Sequence, residues 1–199
     1  LEPGERVGIW SPNNSEWVIT QFATARAGLI LVNINPAYRT HEVEYVLRQS
    51  GCRMLVAAET FKTSNYRAMI DEVRGSLPDL QHVLYIDSPE WATWVDGPQA
   101  PDAELRERMA SLSFDDPINI QYTSGTTGRS KGAMLTHGAL AANALALHAA
   151  WGFTPSDVLL HAEEVAQPHA RLEDPVLHPR PVCLLRSGER AGGPAGGSR

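Results

Sequence analysis

Short apolar runs and helical patterns alternate along this chain. Apolar runs predict strands at residues 6–10, 29–34, 53–57, 83–86, 118–122 and 158–161. Helical patterns predict helices at residues 16–27, 41–50, 63–74 and 139–150. Strands that alternate with helices of about a dozen residues usually pair with one another in a single sheet. The pattern therefore predicts an α/β fold with a mixed or parallel sheet flanked by helices.

Three residues are expected to mark the ends of these helices. Gly28 and Gly51 each follow a helical pattern, at the position where a left-handed backbone commonly ends a helix. Thr40 precedes the second helical pattern and is expected to cap it. These signals predict where the chain turns back toward the sheet.

A run of glycines and hydroxyl side chains lies directly after the strand predicted at 118–122. It contains the hydroxyl residues Thr123, Ser124, Thr126 and Thr127, the glycines Gly125, Gly128 and Gly132, and Lys131. Glycine allows backbone conformations closed to other residues, so neighbouring N–H groups can turn toward one point. With hydroxyl donors and an ammonium group, such a concavity suits the oxygens of a polyphosphate. The segment therefore predicts a nucleotide-phosphate loop.

The spacing of this loop differs from that of the Walker A motif, which has glycine before its lysine and Ser or Thr after it. Here Ser130 precedes Lys131 and Gly132 follows it, which disfavours a P-loop kinase or GTPase. A flexible linker has a similar composition. A linker, however, needs neither an apolar run on each side nor a lysine at its end, so the phosphate loop is the preferred interpretation.

Residues 122–132 resemble the phosphate-binding motif of the adenylate-forming enzymes, which include acyl-CoA synthetases, luciferases and the adenylation domains of peptide synthetases. The family pattern is Tyr-Thr-Ser-Gly-Thr-Thr-Gly-x-Pro-Lys-Gly, and the chain matches every fixed position except that Ser130 replaces proline. Serine removes a restriction on φ and adds a backbone donor. Blocks at 4–13, 27–38 and 116–122 are also similar to the large N-terminal domain of this family.

The resemblance implies a reaction in which a carboxylate attacks the α-phosphate of ATP and coenzyme A then displaces AMP. It implies that the phosphates of ATP are bound by Thr123, Ser124, Gly125, Thr126, Thr127, Gly128 and Lys131, and that Thr123 contacts Mg²⁺. It assigns no catalytic residue within this chain. The expected partners are small molecules: ATP, a carboxylic acid and coenzyme A.

Three functional interpretations stay open. The upstream blocks favour an acyl-CoA synthetase for medium- or long-chain fatty acids, whereas residues 127–137 and 153–162 also resemble malonyl-CoA synthetases. A pseudo-enzyme that binds nucleotide or a partner without catalysis is the third. The family's later motifs, which supply a glutamate for Mg²⁺, a ribose-binding aspartate and the adenylation lysine, do not occur in this sequence. The chain is therefore expected to be an N-terminal fragment, inactive as it stands.

Composition narrows the class of protein further. A net charge of −6 argues against a general nucleic-acid binder, which would carry a basic excess. No apolar run approaches the roughly 20 residues of a membrane-spanning helix. The two cysteines, Cys52 and Cys183, have neither metal-ligand nor redox-pair spacing, and Cys52 is expected to be a buried thiol. The cytoplasm is the expected location.

The character of the sequence changes after Ala162. From residue 163 onward the chain is rich in proline and glycine and contains no Phe, Trp or Tyr. Too little of this segment can be buried to offset the entropy of ordering it. Residues 1–162 are therefore expected to form a partial AMP-binding N-terminal domain, and residues 163–199 a disordered or out-of-frame tail. A shifted reading frame would produce the same abrupt loss of resemblance.

Other conspicuous side chains are given structural roles. His137 is expected to cap the helix after the loop or to contact backbone rather than to catalyse. The tryptophans Trp91 and Trp94 are expected to pack back onto the domain from a surface excursion at 88–101. A block that contains Asn33, Asn35 and Tyr38 resembles a packing segment of the family. A solvated acidic face is expected from Asp102, Glu104, Glu107, Asp115 and Asp116.

Overall fold

A computed structural model describes residues 1–97, 101–123, 130–154, 157–160 and 183–186. The strands are β1 (Arg6–Trp10), β2 (Ile30–Asn33), β3 (Met54–Ala57), β4 (Thr60–Phe61), β5 (Ser64–Asn65), β6 (His82–Tyr85), β7 (Pro117–Thr123), β8 (Lys131–Thr136), β9 (Asp157–Leu160) and β10 (Cys183–Arg186). The helices are α1 (Ser15–Ala27), α2 (Thr40–Ser50), α3 (Tyr66–Val73), α4 (Pro89–Asp96), α5 (Asp102–Ser111) and α6 (His137–Trp151), with a 3₁₀ turn at Arg74–Ser76.

The main sheet has six strands in the order β6-β3-β1-β2-β7-β8. The pairs among β6, β3, β1, β2 and β7 are parallel, and β8 pairs with β7 in the antiparallel direction. The predicted mixed α/β sheet is thus confirmed. Two short antiparallel ladders join β4 to β5 and β9 to β10.

The sheet carries a hydrophobic core on each face. On one face, α2 and α3 bury Val43, Leu47 and Ile70 against the sheet, where Val32 and Leu55 meet them. The opposite face buries a second cluster of sheet residues: Val7, Ile9, Leu31, Met54, Val56 and Leu84. Trp17 of α1 and Trp91 of α4 pack against this second cluster. Successive strand residues point to opposite faces, which explains why neighbouring positions such as Leu31 and Val32 belong to different cores.

The expected glycine ends of two helices are confirmed. Gly28 ends α1 with φ of 72° and Gly51 ends α2 with φ of 61°, both in the left-handed region. The expectation for Thr40 was wrong, because Thr40 is the first residue of α2 and Arg39 occupies the cap position. The Arg39 backbone N–H donates a hydrogen bond of 2.8 Å to the carboxylate of Glu42 in the first turn of α2.

Two further boundaries differ from the sequence-based expectation. The helix predicted at 63–74 begins at Tyr66, because residues 60–65 form the β4–β5 hairpin and the Asn65 side chain accepts the Ala68 N–H. The excursion predicted at 88–101 begins with α4, which the Ser88 hydroxyl caps by accepting the Trp91 N–H. Trp91 packs on the sheet as expected, whereas Trp94 is 60% exposed.

Helix α6 is largely apolar and lies at the surface. No Asp, Glu, Lys or Arg occurs between residues 132 and 154, and α6 consists largely of alanine and leucine. Leu145 is 68% exposed and Trp151 is 43% exposed, and Met134 on the neighbouring β8 is 64% exposed. A helix of this composition is normally buried. This apolar surface, formed by α6 and Met134, is unlike the solvated acidic face of α5, where Asp102, Glu104 and Glu107 are exposed as expected.

Parts of the expectation concern residues outside the described ranges. Of the tail at 163–199 the structure describes only β10, so disorder there and a domain boundary at residue 162 stay predictions. Cys52 is buried as expected. In the described part of the chain, no helix has the length and apolar character needed to cross a membrane.

Candidate phosphate-binding site

The predicted phosphate loop connects two adjacent strands of the sheet. Thr123 is the last residue of β7, Lys131 is the first residue of β8, and the two are paired across the ladder. The parallel strands β1, β2, β3 and β6 end at the same edge as β7, which is where α/β sheets usually bind ligands. The loop residues Ser124, Gly125, Thr126, Thr127 and Gly128 lie outside the described residues. The structure therefore places Thr123 and Lys131 and brings these two together.

Thr123 and Lys131 suit a phosphate by their chemistry and their placement. Residues directly opposite each other in an antiparallel pair project to the same face. Both residues are exposed, so a hydroxyl and an ammonium group are available side by side at the base of the loop. Among the described residues, no hydrogen bond or ion pair engages the Lys131 side chain.

Two tyrosines hold the residue before Lys131. The hydroxyl oxygens of Tyr38 and Ser130 are 3.1 Å apart, and the Tyr45 hydroxyl donates to the Ser130 carbonyl at 3.1 Å. Tyr38 lies in the connection between β2 and α2, and Tyr45 lies within α2. From the sequence, Tyr38 was expected to have a packing role, and no role was expected for Tyr45. No local pattern could have found these contacts, since the residues are 92 and 85 positions from Ser130.

Tyr122 forms the buried wall beneath this end of the loop. Its ring meets the ring of Tyr45 edge to face, with centroids 6.5 Å apart. Burial raises the pKa of Tyr122 to about 12, so its phenol is neutral at physiological pH. Gly132 lies against the same ring: a Cβ at this position would be 2.9 Å from Ile120 Cγ2 and 3.3 Å from Tyr122 Cζ. A larger residue at position 132 would therefore force Ile120 or β8 to shift.

A buried side-chain amide lies at the same edge of the sheet. Asn33 ends β2 opposite Gln121 of β7 and is 8% exposed. Neither its Oδ1 nor its Nδ2 atom has a hydrogen-bond partner within the described ranges. Buried polar groups are normally paired with protein or ordered water. The packing role expected for Asn33 stays a prediction.

Residues 1–167 match the protein-family model for the AMP-binding enzymes. The chain belongs to this family. Among its curated relatives, the mitochondrial medium-chain acyl-CoA ligase ACSF2 of Rattus norvegicus is 43% identical, over 69% of this chain and 26% of that protein. The chain thus spans about a quarter of the length of this relative.

Solved structures of ligases have the same fold. Apo MatB from Rhodopseudomonas palustris gives a TM-score of 0.61 at 31% identity, over 83% of this chain and 31% of that one. A long-chain-fatty-acid-CoA ligase, FadD1 from Archaeoglobus fulgidus, gives 0.57 at 32% identity, over 77% of this chain and 29% of that one. The fold of this chain is therefore that of the N-terminal domain of the adenylate-forming ligases.

In this member of the family, His137 lies far from Lys131. Thr136 pairs with Pro117, at the opposite end of the β7–β8 ladder from Lys131. Five strand residues correspond to about 17 Å. The His137 N–H donates to the Asp116 carbonyl at 3.0 Å, and the Thr136 hydroxyl caps α6 by accepting the Ala139 N–H. The helix cap is Thr136 rather than His137, and a backbone contact of the His137 side chain stays a prediction.

The family uses ATP, and the described residues offer a metal ion few ligands of their own. In these ranges no group of three or more His, Cys, Asp or Glu side chains could hold a metal ion. Thr123 offers one hydroxyl oxygen, which is a suitable ligand type for Mg²⁺. Such an ion is commonly bound through nucleotide phosphates with few protein ligands. Thr123 is thus compatible with the expected Mg²⁺ contact.

Proposed function

We propose that this chain supplies the phosphate-binding part of an ATP-dependent acyl-CoA ligase that acts on fatty acids. One observation carries the proposal: the glycine- and hydroxyl-rich loop leaves and rejoins the carboxyl edge of the sheet at Thr123 and Lys131, which pair with each other. In our proposal the loop residues Ser124, Gly125, Thr126, Thr127 and Gly128 complete the phosphate site between these two ends.

The proposed reaction explains why a cation and several donors are needed. A carboxylate oxygen attacks the α-phosphorus of ATP, the bond to the bridging oxygen breaks, and pyrophosphate leaves with the electron pair. A thiol then attacks the acyl carbon and displaces AMP. The first step brings an anion to a polyanion, so positive charge and aligned donors lower its barrier. Lys131 and the Thr123 hydroxyl would contact the β- and γ-phosphates, and Mg²⁺ bound at Thr123 would neutralise further charge.

The substrate class is proposed from the relatives. Rat ACSF2 is a medium-chain acyl-CoA ligase, and FadD1 is a long-chain-fatty-acid-CoA ligase. Fatty acids are therefore the proposed acyl substrates, with malonate as the alternative from the sequence of residues 127–137. The activity belongs to the whole ligase in this proposal, and the 199-residue chain alone is expected to bind ATP without turnover. The cytoplasm stays our expectation for its location, whereas the name of ACSF2 places that relative in mitochondria.

Titration of the chain with ATP and Mg²⁺ tests the proposal. The chain contains two lysines, Lys131 in the site and Lys62 in the exposed β4–β5 turn, so Lys62→Ala is a matched control. Lys131→Ala should weaken binding at least about tenfold, because a charge-assisted hydrogen bond to phosphate is lost. Lys62→Ala should leave the affinity unchanged.

Two results would contradict the proposal. One is the absence of ATP binding by a wild-type chain whose circular dichroism shows a folded α/β protein. The other is equal affinity of the wild type and Lys131→Ala. Pyrophosphate exchange by the chain alone would refute the expectation that it lacks turnover, and it would leave the site assignment intact.

A further inference from the structure

We infer that Tyr38 and Tyr45 are positioning residues for the phosphate loop, because together they fix Ser130 and thereby the backbone from which the Lys131 side chain departs. The inference rests on the proposed function, since it concerns how Lys131 is presented to phosphate. It extends the site to residues of the β2–α2 region that lie outside the glycine-rich segment.

Tyr45 is attached to a rigid part of the molecule. Its neighbours in α2, Val43, Val46 and Leu47, are fully buried against the sheet. The Tyr45 ring also rests edge to face on Tyr122 of β7. A hydroxyl carried on such a support has a fixed position, and this hydroxyl donates to the Ser130 carbonyl at 3.1 Å. The carbonyl orientation of Ser130 is therefore set by α2.

Tyr38 holds the same residue through its side chain. It is 8% exposed, and its backbone N–H donates to the Asn35 carbonyl at 3.0 Å, which closes a turn after β2. Its hydroxyl lies 3.1 Å from Ser130 Oγ. Ser130 is thus held at two atoms, by two tyrosines that leave the backbone seven positions apart.

The two contacts with Ser130 affect Lys131 because the backbone on the other side of Lys131 is already fixed by the β7–β8 ladder. Pairing with Thr123 fixes its Cα on the β7 side, while its side chain is exposed. The direction in which the chain enters Lys131 is set by Ser130. A change of a few tens of degrees at the Ser130 carbonyl would displace the ammonium group, at the end of four methylenes, by several ångströms (about 3 Å).

The Tyr38 contact depends on serine at position 130. The adenylate-forming pattern has proline here, and a proline ring restricts φ but has no hydroxyl. Ser130 lacks that restriction and forms a side-chain contact with Tyr38 instead. In this chain the hydrogen bond between Tyr38 and Ser130 therefore restricts the backbone at position 130, as the proline ring does in the usual motif.

A double-mutant cycle in the full chain tests the Tyr38–Ser130 pair. Tyr38→Phe and Ser130→Ala should each raise the Kd for ATP and Mg²⁺ about three- to fivefold, as expected for one hydrogen bond. The double variant should be no weaker than either single one, because both remove the same contact. Ser130→Thr keeps the hydroxyl and should restore the affinity. Tyr45→Phe should act independently, since its partner is a backbone carbonyl.

Tyr66→Phe is the control for a purely structural effect. The Tyr66 hydroxyl also donates to a backbone carbonyl, that of Pro36 at 2.5 Å, but Tyr66 is in α3 and does not contact Ser130. This variant should lower the Tm and leave the Kd unchanged. Equal affinity of the wild type, Tyr38→Phe and Tyr45→Phe would overturn the inference and leave the proposed function standing.

Amide hydrogen exchange in the absence of nucleotide tests the contacts of Tyr38 and Tyr45 with Ser130 separately from the proposed function. Tyr38→Phe and Tyr45→Phe should accelerate exchange at residues 130–132, and Tyr66→Phe should not. If the wild type fails to bind ATP but exchange responds in this way, the proposed function is wrong and the tether of Ser130 is real. Unchanged exchange in both variants would refute the inference whether or not ATP binds.

Discussion

The side-chain amides of Gln21 and Asn119 form two reciprocal hydrogen bonds, each 3.1 Å long. Gln21 lies on α1, and Asn119 lies on β7, where it is 4% exposed. The pair joins the helix after the first strand to the strand that leads into the phosphate loop, 98 positions later. The pair lies on the same face of the sheet as the apolar cluster that contains Leu31, and it adds polar contacts between α1 and the sheet there.

Asn119→Ala should lower the free energy of unfolding by about 2 kcal/mol, because it removes both bonds and leaves the Gln21 amide partly buried without a partner. Gln21→Ala should cost at least as much, since it leaves the amide of Asn119, which is only 4% exposed, without a partner. Urea denaturation of both single variants and the double variant measures the coupling. Additive effects would show that the two amides do not stabilise each other.

Gly51→Ala should destabilise the chain more than Gly152→Ala. Both glycines end helices with positive φ, 61° and 64°, so both alanine variants incur the cost of a left-handed backbone, about 1 kcal/mol. At Gly51 the new Cβ would also meet Arg6, with Nη2 at 2.6 Å, whereas no atom of the described residues lies within 4 Å at Gly152.

The Arg6 guanidinium cannot move away without a loss, because it donates to the carbonyls of Ser50 and Gly51 at 2.8 Å and 2.9 Å. We therefore expect Gly51→Ala to lose roughly 1 kcal/mol more than Gly152→Ala in thermal unfolding. Equal losses would mean that the Arg6 contacts add nothing to the cap of α2.

The Cys52 thiol should make stability sensitive to alkaline pH. Burial raises the pKa of Cys52 from 9.0 to about 12, so the unfolded chain loses this proton at lower pH than the folded chain. The stability that results is fully present below pH 9.0 and is lost as the pH rises toward 12. Tyr122, whose pKa is also about 12, contributes in the same direction.

Urea unfolding at pH 8 and pH 11 checks this expectation. Cys52→Ala lacks the titrating thiol, so it should lose less stability between the two pH values than the wild type. Parallel losses in the two proteins would show that the thiol does not contribute to the pH dependence.

The apolar surface of α6 and Met134 should make the isolated chain self-associate. Leu145→Glu introduces charge into this surface and should lower the weight-average mass measured by sedimentation velocity. Gln49→Glu adds the same charge at an exposed position of α2 and should leave the mass unchanged. A monomeric wild type at tens of micromolar protein would contradict the prediction.

The sequence predicted the elements whose signals are local. Gly28 and Gly51 end their helices as expected, because the backbone at both positions is left-handed and glycine adopts that conformation most easily. Strand β8 was missed because its residues, Lys131–Thr136, have little β-branched character, and pairing with β7 rather than propensity makes them a strand. Helix α4 was missed although Ser88 and Pro89 are ordinary signals of a helix start.

The part of the candidate site that lies in one continuous segment could be predicted from the sequence. The composition of residues 123–131 indicated phosphate chemistry, and the resemblance indicated which phosphates. The contacts of Tyr38 and Tyr45 with Ser130 arise from the packing of α2 against the sheet. Such contacts depend on three-dimensional placement, so neither spacing nor composition could reveal them.

The pairing of Thr123 with Lys131 also decides when the ends of the loop are brought together. A free segment of seven residues loses entropy when its ends meet, by an amount that grows with the logarithm of its length. In this protein the β7–β8 ladder joins the two ends as part of the fold. The entropy of closing the loop is therefore part of the folding free energy. Changes in loop length should alter the stability of the protein, while the distance between Thr123 and Lys131 stays the same.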